Sequence, residues 1–165
     1  MKNINIPLTI FIIESMEILK SWLFNKKIQY IGFEDVKYAI SIRDKYTIIN
    51  TLSEIEQDCL IIGTIPSMNE EHIINKWIEE EKMSAVHIII YGKNSADDTV
   101  RKKYSELQKV GFETVYIYGG GLFEWLLLQD IYGKNEFPTT SYCKDILKFR
   151  PTPNIPRLSF QSITY

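Results

Sequence analysis

Apolar and polar positions along this chain change period repeatedly, from helical spacing to strand-like runs and back. Ile12, Met16, Leu19 and Leu23 share one face at helical spacing, with Glu14, Glu17 and Ser21 on another, so a helix is predicted over Thr9–Phe24. Asn25-Lys26-Lys27 is a polar break. Ile28–Ile31 reads as a short strand ended at Gly32. Glu34-Asp35 then open a helix, because acids favour the positive end of a helix dipole; Val36, Ala39 and Ile40 supply its buried stripe. Tyr46–Asn50 is a second strand, and Ser53–Gln57 makes at most a turn or two of helix.

Cys59–Ile62 is an apolar run of strand length, stopped by Gly63. Ser67-Met68-Asn69-Glu70 matches a capping box ahead of Ile73, Ile74, Trp77 and Ile78, predicting a helix over Ser67–Lys82. Val86–Tyr91 is the clearest strand. Its near-continuous apolar character implies burial on both faces of a parallel sheet. A helix from about Asp98 to Val110 carries Val100, Tyr104 and Leu107 on one face and ends at Gly111. Thr114–Tyr118 is a strand, Gly119-Gly120-Gly121 a turn, and Leu122–Ile131 an apolar helix containing Trp125. From Tyr132 the chain turns irregular, and Arg150–Arg157 holds three prolines. Alternation on this scale predicts an α/β fold: a mainly parallel, five-stranded sheet with Val86–Tyr91 and Tyr46–Asn50 central and helices on both faces. The expected organisation is an N-terminal helical extension (1–25), a domain over 26–133 and an irregular tail over 134–165.

Composition narrows the chemistry. The 165 residues are 45% hydrophobic and 24% charged, with a formal net charge of −2, which suits one globular domain and gives phosphate no general attraction. No nucleic-acid partner is therefore expected. Cys59 and Cys143 share no short spacing, and His72 and His87 are isolated, so no metal site, redox motif or disulfide framework is expected. The N-terminal apolar stretch is interrupted by Glu14, Glu17 and Lys20, too soon for a membrane span or a secretory signal. The expectation is a cytoplasmic or particle-assembled protein, not a secreted one.

Three motifs carry a resemblance. His87-Ile88-Ile89-Ile90-Tyr91 is similar to the central strand of rhodanese-like domains. Val110-Gly111-Phe112-Glu113-Thr114-Val115-Tyr116 resembles that family's G-F-x-x-V helix-to-strand junction, and Gly119-Gly120-Gly121-Leu122-Phe123-Glu124-Trp125 its G-G-x-x-x-W signature. The resemblance spans Ile28–Ile131, about two thirds of the chain. Earlier positions depart from it: Ile62-Gly63-Thr64-Ile65-Pro66 stands for G-H-I-P-G-A, and Ile49-Asn50-Thr51-Leu52 for I-D-V-R.

The resemblance implies a rhodanese-like three-layer fold. In active members, a cysteine opens the loop after the central strand. Backbone N–H groups and a helix dipole stabilise its thiolate, which accepts sulfur as a persulfide. Related phosphatases use the same cradle with an arginine. Here that loop reads Gly92-Lys93-Asn94-Ser95-Ala96-Asp97, followed by Asp98. Glycine stands at the nucleophile position and the loop holds no arginine, so neither sulfur transfer nor phosphatase activity is expected and no cofactor is implied. Ser95 is expected to cap the following helix through Ser95-x-x-Asp98.

Other fragments match less. Gly92-Lys93 followed by Ser95 lacks the glycine spacing of a nucleotide loop, and Gly119–Gly121 lacks the third glycine of a dinucleotide fingerprint. Pro153-Asn154-Ile155-Pro156 fits P-x-x-P, and a tail lying across the domain or a neighbouring subunit is the expected reading. Trp77, Trp125 and the two histidines read as structural, and Glu79–Glu81 as a solvated helix end.

The leading functional expectation is a non-catalytic module that binds protein or self-associates, for example within a virion or a protist complex. The alternative is a small-ligand or anion site, or an enzyme, reusing the remodelled loop Gly92–Asp97.

Overall fold

The computed structural model describes residues 27–155. The helix predicted over Thr9–Phe24 lies outside them, as does the end of the P-x-x-P fragment. The described chain runs β1 (Gln29–Ile31), α1 (Phe33–Ser41), β2 (Tyr46–Asn50), a 3-10 turn (Glu54–Glu56), α2 (Ser67–Glu79), β3 (His87–Tyr91), α3 (Thr99–Val110), β4 (Thr114–Tyr118), α4 (Gly121–Tyr132) and a second 3-10 turn (Ile146–Phe149). All three strand pairings are parallel, in the order β1-β4-β3-β2. Helices α1 and α4 cover one face around Val36, Ala39, Leu122, Trp125 and Leu126. The other face packs Ile88, Ile90 and Val115 against α3 through Val100, Tyr104 and Leu107, with α2 contributing Ile74, Trp77 and Ile78.

Two expectations about the sheet need correction. Four strands form among the described residues, not five, and Tyr46–Asn50 lies at an edge. Cys59–Ile62 makes no strand. The segment pairs with the tail through an antiparallel bridge, Ile61 to Thr139, and the chain touches the sheet only beyond it, through a parallel bridge from Thr64 to Ile48. An apolar run signals burial, and Cys59, Leu60 and Ile61 are buried, but it does not say which backbone will satisfy their hydrogen bonds. Leu60 and Ile62 find theirs in Thr140 and Pro138.

The capping box at Ser67 also fails to form. Pro66 is the N-cap, so Ser67 is already helical, and Glu70 turns instead to an ion pair with Lys103 of α3. That pair joins the two helices on one face of the sheet. Two end signals do form: Asp35 accepts the Gly32 N–H at the start of α1, and Gly111 closes α3 at φ +112°.

From Tyr132 onward the chain remains tied to the body. Phe137 and Phe149 are buried in the α1/α4 core. Gln129 donates to the Phe137 carbonyl at 2.6 Å, and Trp125 Nε1 to the Pro138 carbonyl at 3.3 Å. The described part of the tail therefore lies across its own domain.

Candidate functional site

In an open parallel sheet the carboxyl ends of the strands face the usual ligand crevice. β2, β3 and β4 deliver Asn50, Tyr91 and Tyr118 in register to that edge, all buried. The Tyr91 hydroxyl accepts the Ile61 N–H at 3.2 Å and lies 3.0 Å from Thr64 Oγ1. This phenol anchors the 61–64 segment that stands in for a fifth strand, and burial pushes its pKa up. The Asn50 side-chain Oδ1 accepts the Leu52 N–H and turns the chain away from β2.

Directly after β3, Gly92–Asp97 folds back on itself. Asn94 makes the turn: its Oδ1 accepts the Ala96 N–H at 2.9 Å, and its main-chain carbonyl accepts the Asp97 N–H at 3.2 Å. That turn carries the Asp97 carboxylate into the mouth of the loop. Asp97 Oδ2 accepts the Lys93 N–H at 2.9 Å, while Oδ1 accepts the Thr99 N–H at 3.1 Å and lies 2.5 Å from Thr99 Oγ1.

The space beside Gly92 is thereby filled. A Cβ on residue 92 would stand 2.4 Å from Asp97 Oδ2 and 2.6 Å from Val100 Cγ2. A loop amide directed at the residue-92 side-chain space thus has an anionic acceptor already, supplied by its own chain. Ser95 is exposed and does not cap α3; Asp98 is the N-cap residue without a side-chain cap bond, and Asp97 before it accepts the Thr99 N–H, correcting the Ser95-x-x-Asp98 expectation. The reason is positional, since the Asn94 turn places residue 97 ahead of the helix.

The triple glycine meets this loop from the other side. Gly121 has φ +63°, and a Cβ there would lie 2.7 Å from the Gly92 carbonyl oxygen and 2.8 Å from the Asn94 nitrogen. The Leu122 and Phe123 N–H groups, free at the start of α4, donate to the Gly92 and Lys93 carbonyls at 2.9 and 2.8 Å. Gly121 therefore permits a close backbone approach that ties α4 to the loop, and Trp125, one turn on, is fully buried beneath it.

A cleft of about 420 Å3 opens over the same loop. Lys93, Asn94, Ala96 and Asp97 form one wall, Thr51, Ser53 and Glu56 another, and Thr152 and Asn154 of the tail a third. Lys93 Nζ sits 2.7 Å from Glu56 Oε1, which holds the Glu56 carboxyl below its ordinary pKa, with Ser53 Oγ adding a bond at 2.5 Å. The tail is held at this mouth by Asn94 Nδ2, which donates to the Phe149 carbonyl at 2.7 Å.

Sequence reasoning placed Gly92, Lys93, Asn94, Ser95, Ala96 and Asp97 in one loop, and the structure keeps them together; Lys93, Asn94, Ala96 and Asp97 line the cleft, and Gly92 and Ser95 do not. It missed Glu56, Gly121 and the tail residues. Only the glycine triplet gave a local sign. Cys59 and Cys143 are buried away from the cleft lining, His72 is exposed, and no group of three His, Cys, Asp or Glu side chains among the described residues is placed to hold a metal.

No protein-family model matches the sequence, and no curated protein matches it. Solved structures do align. A full-length protein from Lactobacillus plantarum is 19% identical, with a TM-score of 0.50 over 78% of this chain and 98% of its own. A thiosulfate sulfurtransferase from Pseudomonas aeruginosa is 16% identical at TM-score 0.49, over 67% of this chain and 20% of its own. A rhodanese-like domain from Anabaena sp. is 22% identical at TM-score 0.40, over 62% of this chain and 98% of its own. The Lactobacillus match shows a shared α/β fold, a parallel sheet flanked by helices. No helix among the described residues is long and apolar enough to cross a membrane.

Proposed function

We propose that this chain is a rhodanese-like module that performs no sulfur transfer and works by binding protein. One observation carries the first half of that reading. The Asp97 carboxylate stands where a side chain on residue 92 would go, bonded to the Lys93 N–H. A persulfide or a transferred phosphoryl group has neither an atom to attach to nor free space beside the loop amide.

The binding half is supported by α4. Apart from Glu124, Gln129 and Asp130 its side chains are apolar, more than one buried stripe requires. Its inner face packs Leu122, Trp125 and Leu126, yet Leu127, Ile131 and Tyr132 are exposed among the described residues. The test of the non-catalytic reading is thiocyanate production from thiosulfate and cyanide by the full chain. The expected rate matches the protein-free blank. Turnover that survives Cys59→Ser and Cys143→Ser and disappears on replacing loop residues would defeat the reading.

A second reading, a small-ligand site, is favoured by the polar cleft that the tail completes. Its walls of hydroxyls, amides and a Lys93–Glu56 pair, with Asp97 adding negative charge, suit a neutral or amine-bearing polar molecule better than an anion. A thermal-shift screen against anions, nucleotides, thiols and small polyols tests it, and no shift at millimolar ligand counts against it.

A further inference from the structure

Helices α2 and α3 share one face of the sheet, and a second groove of about 420 Å3 opens between them. Its floor is apolar: Ile74 comes from α2, and Leu107 and the exposed Val110 from α3. Its lips are acidic. Glu70 is buried and paired with Lys103, and that pair ties the two helices together. Glu71 on α2 and Glu106 on α3 also line the groove, are exposed, and make no ion pair among the described residues. An apolar floor between two uncompensated carboxylates fits a segment that is apolar and basic, and repels an acidic one.

The C-terminal segment leaves the described residues near the head of this groove. Asn154 and Thr99 line the same cleft, and Thr99 begins α3 one turn before Lys103. On the other side, Gln57 follows Glu56 of the cleft wall and accepts the Ser67 N–H at 3.4 Å, where α2 begins. Ten residues come after Ile155: Pro156-Arg157-Leu158-Ser159-Phe160-Gln161-Ser162-Ile163-Thr164-Tyr165. Arg157 is their only charged side chain. Ten residues of extended chain reach up to about 33 Å. The groove from Lys103 to Val110 spans seven residues of helical rise, roughly 11 Å. Residues 9–24 suit the groove less, because Glu14 and Glu17 outnumber Lys20 there.

We propose that residues 156–165 seat in the α2/α3 groove, with Leu158 and Phe160 over Ile74, Leu107 and Val110, and with Arg157 between Glu71 and Glu106. Leu158 and Phe160 are two positions apart, so in an extended chain they share one side. The arginine stem is long enough to return its guanidinium to either lip, where it pairs with a carboxylate. This seat draws the chain from the cleft mouth along α3 and so holds Thr152 and Asn154 as the third wall of the cleft. It also keeps the groove from partners of the same basic, apolar chemistry.

The experiment places a photoreactive benzoyl group on the Phe160 ring in the full chain and maps the cross-links by proteolysis and mass spectrometry. Expected are intramolecular cross-links to peptides that hold residues 67–75 or 103–110. Glu71→Lys together with Glu106→Lys should lower their yield by about two- to fivefold, the range for exposed ion pairs, and adding Arg157→Glu should restore it. The same pair of reversals at Asp44 and Glu54, outside the groove lining, should leave the yield unchanged. The proposal is overturned by the absence of cross-links, by cross-links to other parts of the chain or to a second copy, or by a yield indifferent to the reversals at Glu71 and Glu106. None of these outcomes bears on the Asp97 reading, which thiocyanate production tests separately.

Discussion

Asp97 accepts the main-chain N–H of Lys93, four residues before it, and so closes the loop after β3 with its own carboxylate. The same side chain accepts the Thr99 N–H and thereby starts α3. One carboxylate thus serves both as the loop's internal anion and as the acceptor for the first helical N–H, two roles that fit the positive end of a helix. Removing it leaves both amides without their acceptor. Asp97→Ala should cost about 1–3 kcal/mol in urea denaturation, the range for an unsatisfied, partly buried donor. Asp97→Asn keeps one acceptor oxygen and should fall between alanine and wild type.

Gly121 and Gly133 offer a matched comparison. Both have positive φ, +63° and +94°, but a Cβ on Gly121 meets the Gly92 carbonyl oxygen at 2.7 Å, while one on Gly133 meets nothing within 4 Å. At φ +94° and ψ +161° Gly133 lies in an extended region almost confined to glycine, so Gly133→Ala should cost that backbone strain alone, about 1–3 kcal/mol. Gly121→Ala carries a positive-φ cost of its own and must also push the 92–94 backbone off α4, which should add about 1–3 kcal/mol, as for other overpacked sites. Thermal unfolding of the two variants side by side measures the difference.

The Glu56 carboxyl should give stability an acid dependence. Its folded pKa lies below the ordinary value of 4.5, chiefly through the Lys93 ammonium and then through Ser53. A depressed carboxylate stabilises the fold fully above its unfolded pKa, and the contribution is lost as pH falls through the folded value. Wild type and Glu56→Gln should therefore differ most well above the ordinary carboxyl pKa of 4.5 and converge as the pH is taken below it. A difference that stays constant across that range would show that the pair contributes nothing through charge.

The fold class was legible because β3 is apolar and buried from Ile88 to Tyr91 and the helices around it carry stripes at helical spacing. His87–Tyr91, Tyr46–Asn50 and Thr114–Tyr118 emerge within one residue of their predicted bounds. What could not be read was long-range backbone pairing. Cys59–Ile62 looked like a strand because it is buried, but its partner is a tail some eighty residues away. The site was legible as a location, through Gly92 after the central strand. Its content was not. Ser95 and Asp97 both have capping chemistry, and only the Asn94 turn decides which of them reaches the helix. In the folded loop Asp97 is itself the anion that the cradle holds.

The central claim is that the cradle is filled from within, and mass spectrometry of Gly92→Cys tests it most directly. The variant, alone and combined with Asp97→Gly, is incubated with thiosulfate, and residue 92 is examined for the 32 Da gain of a persulfide. In the single variant the new side chain collides with Asp97 and Val100, and the neighbouring carboxylate raises the thiol pKa, so no persulfide should form at residue 92. Removing the carboxylate clears the nearest obstruction, so any sulfur uptake should appear only in the double variant. Rapid persulfide formation on Gly92→Cys with Asp97 intact would contradict the account.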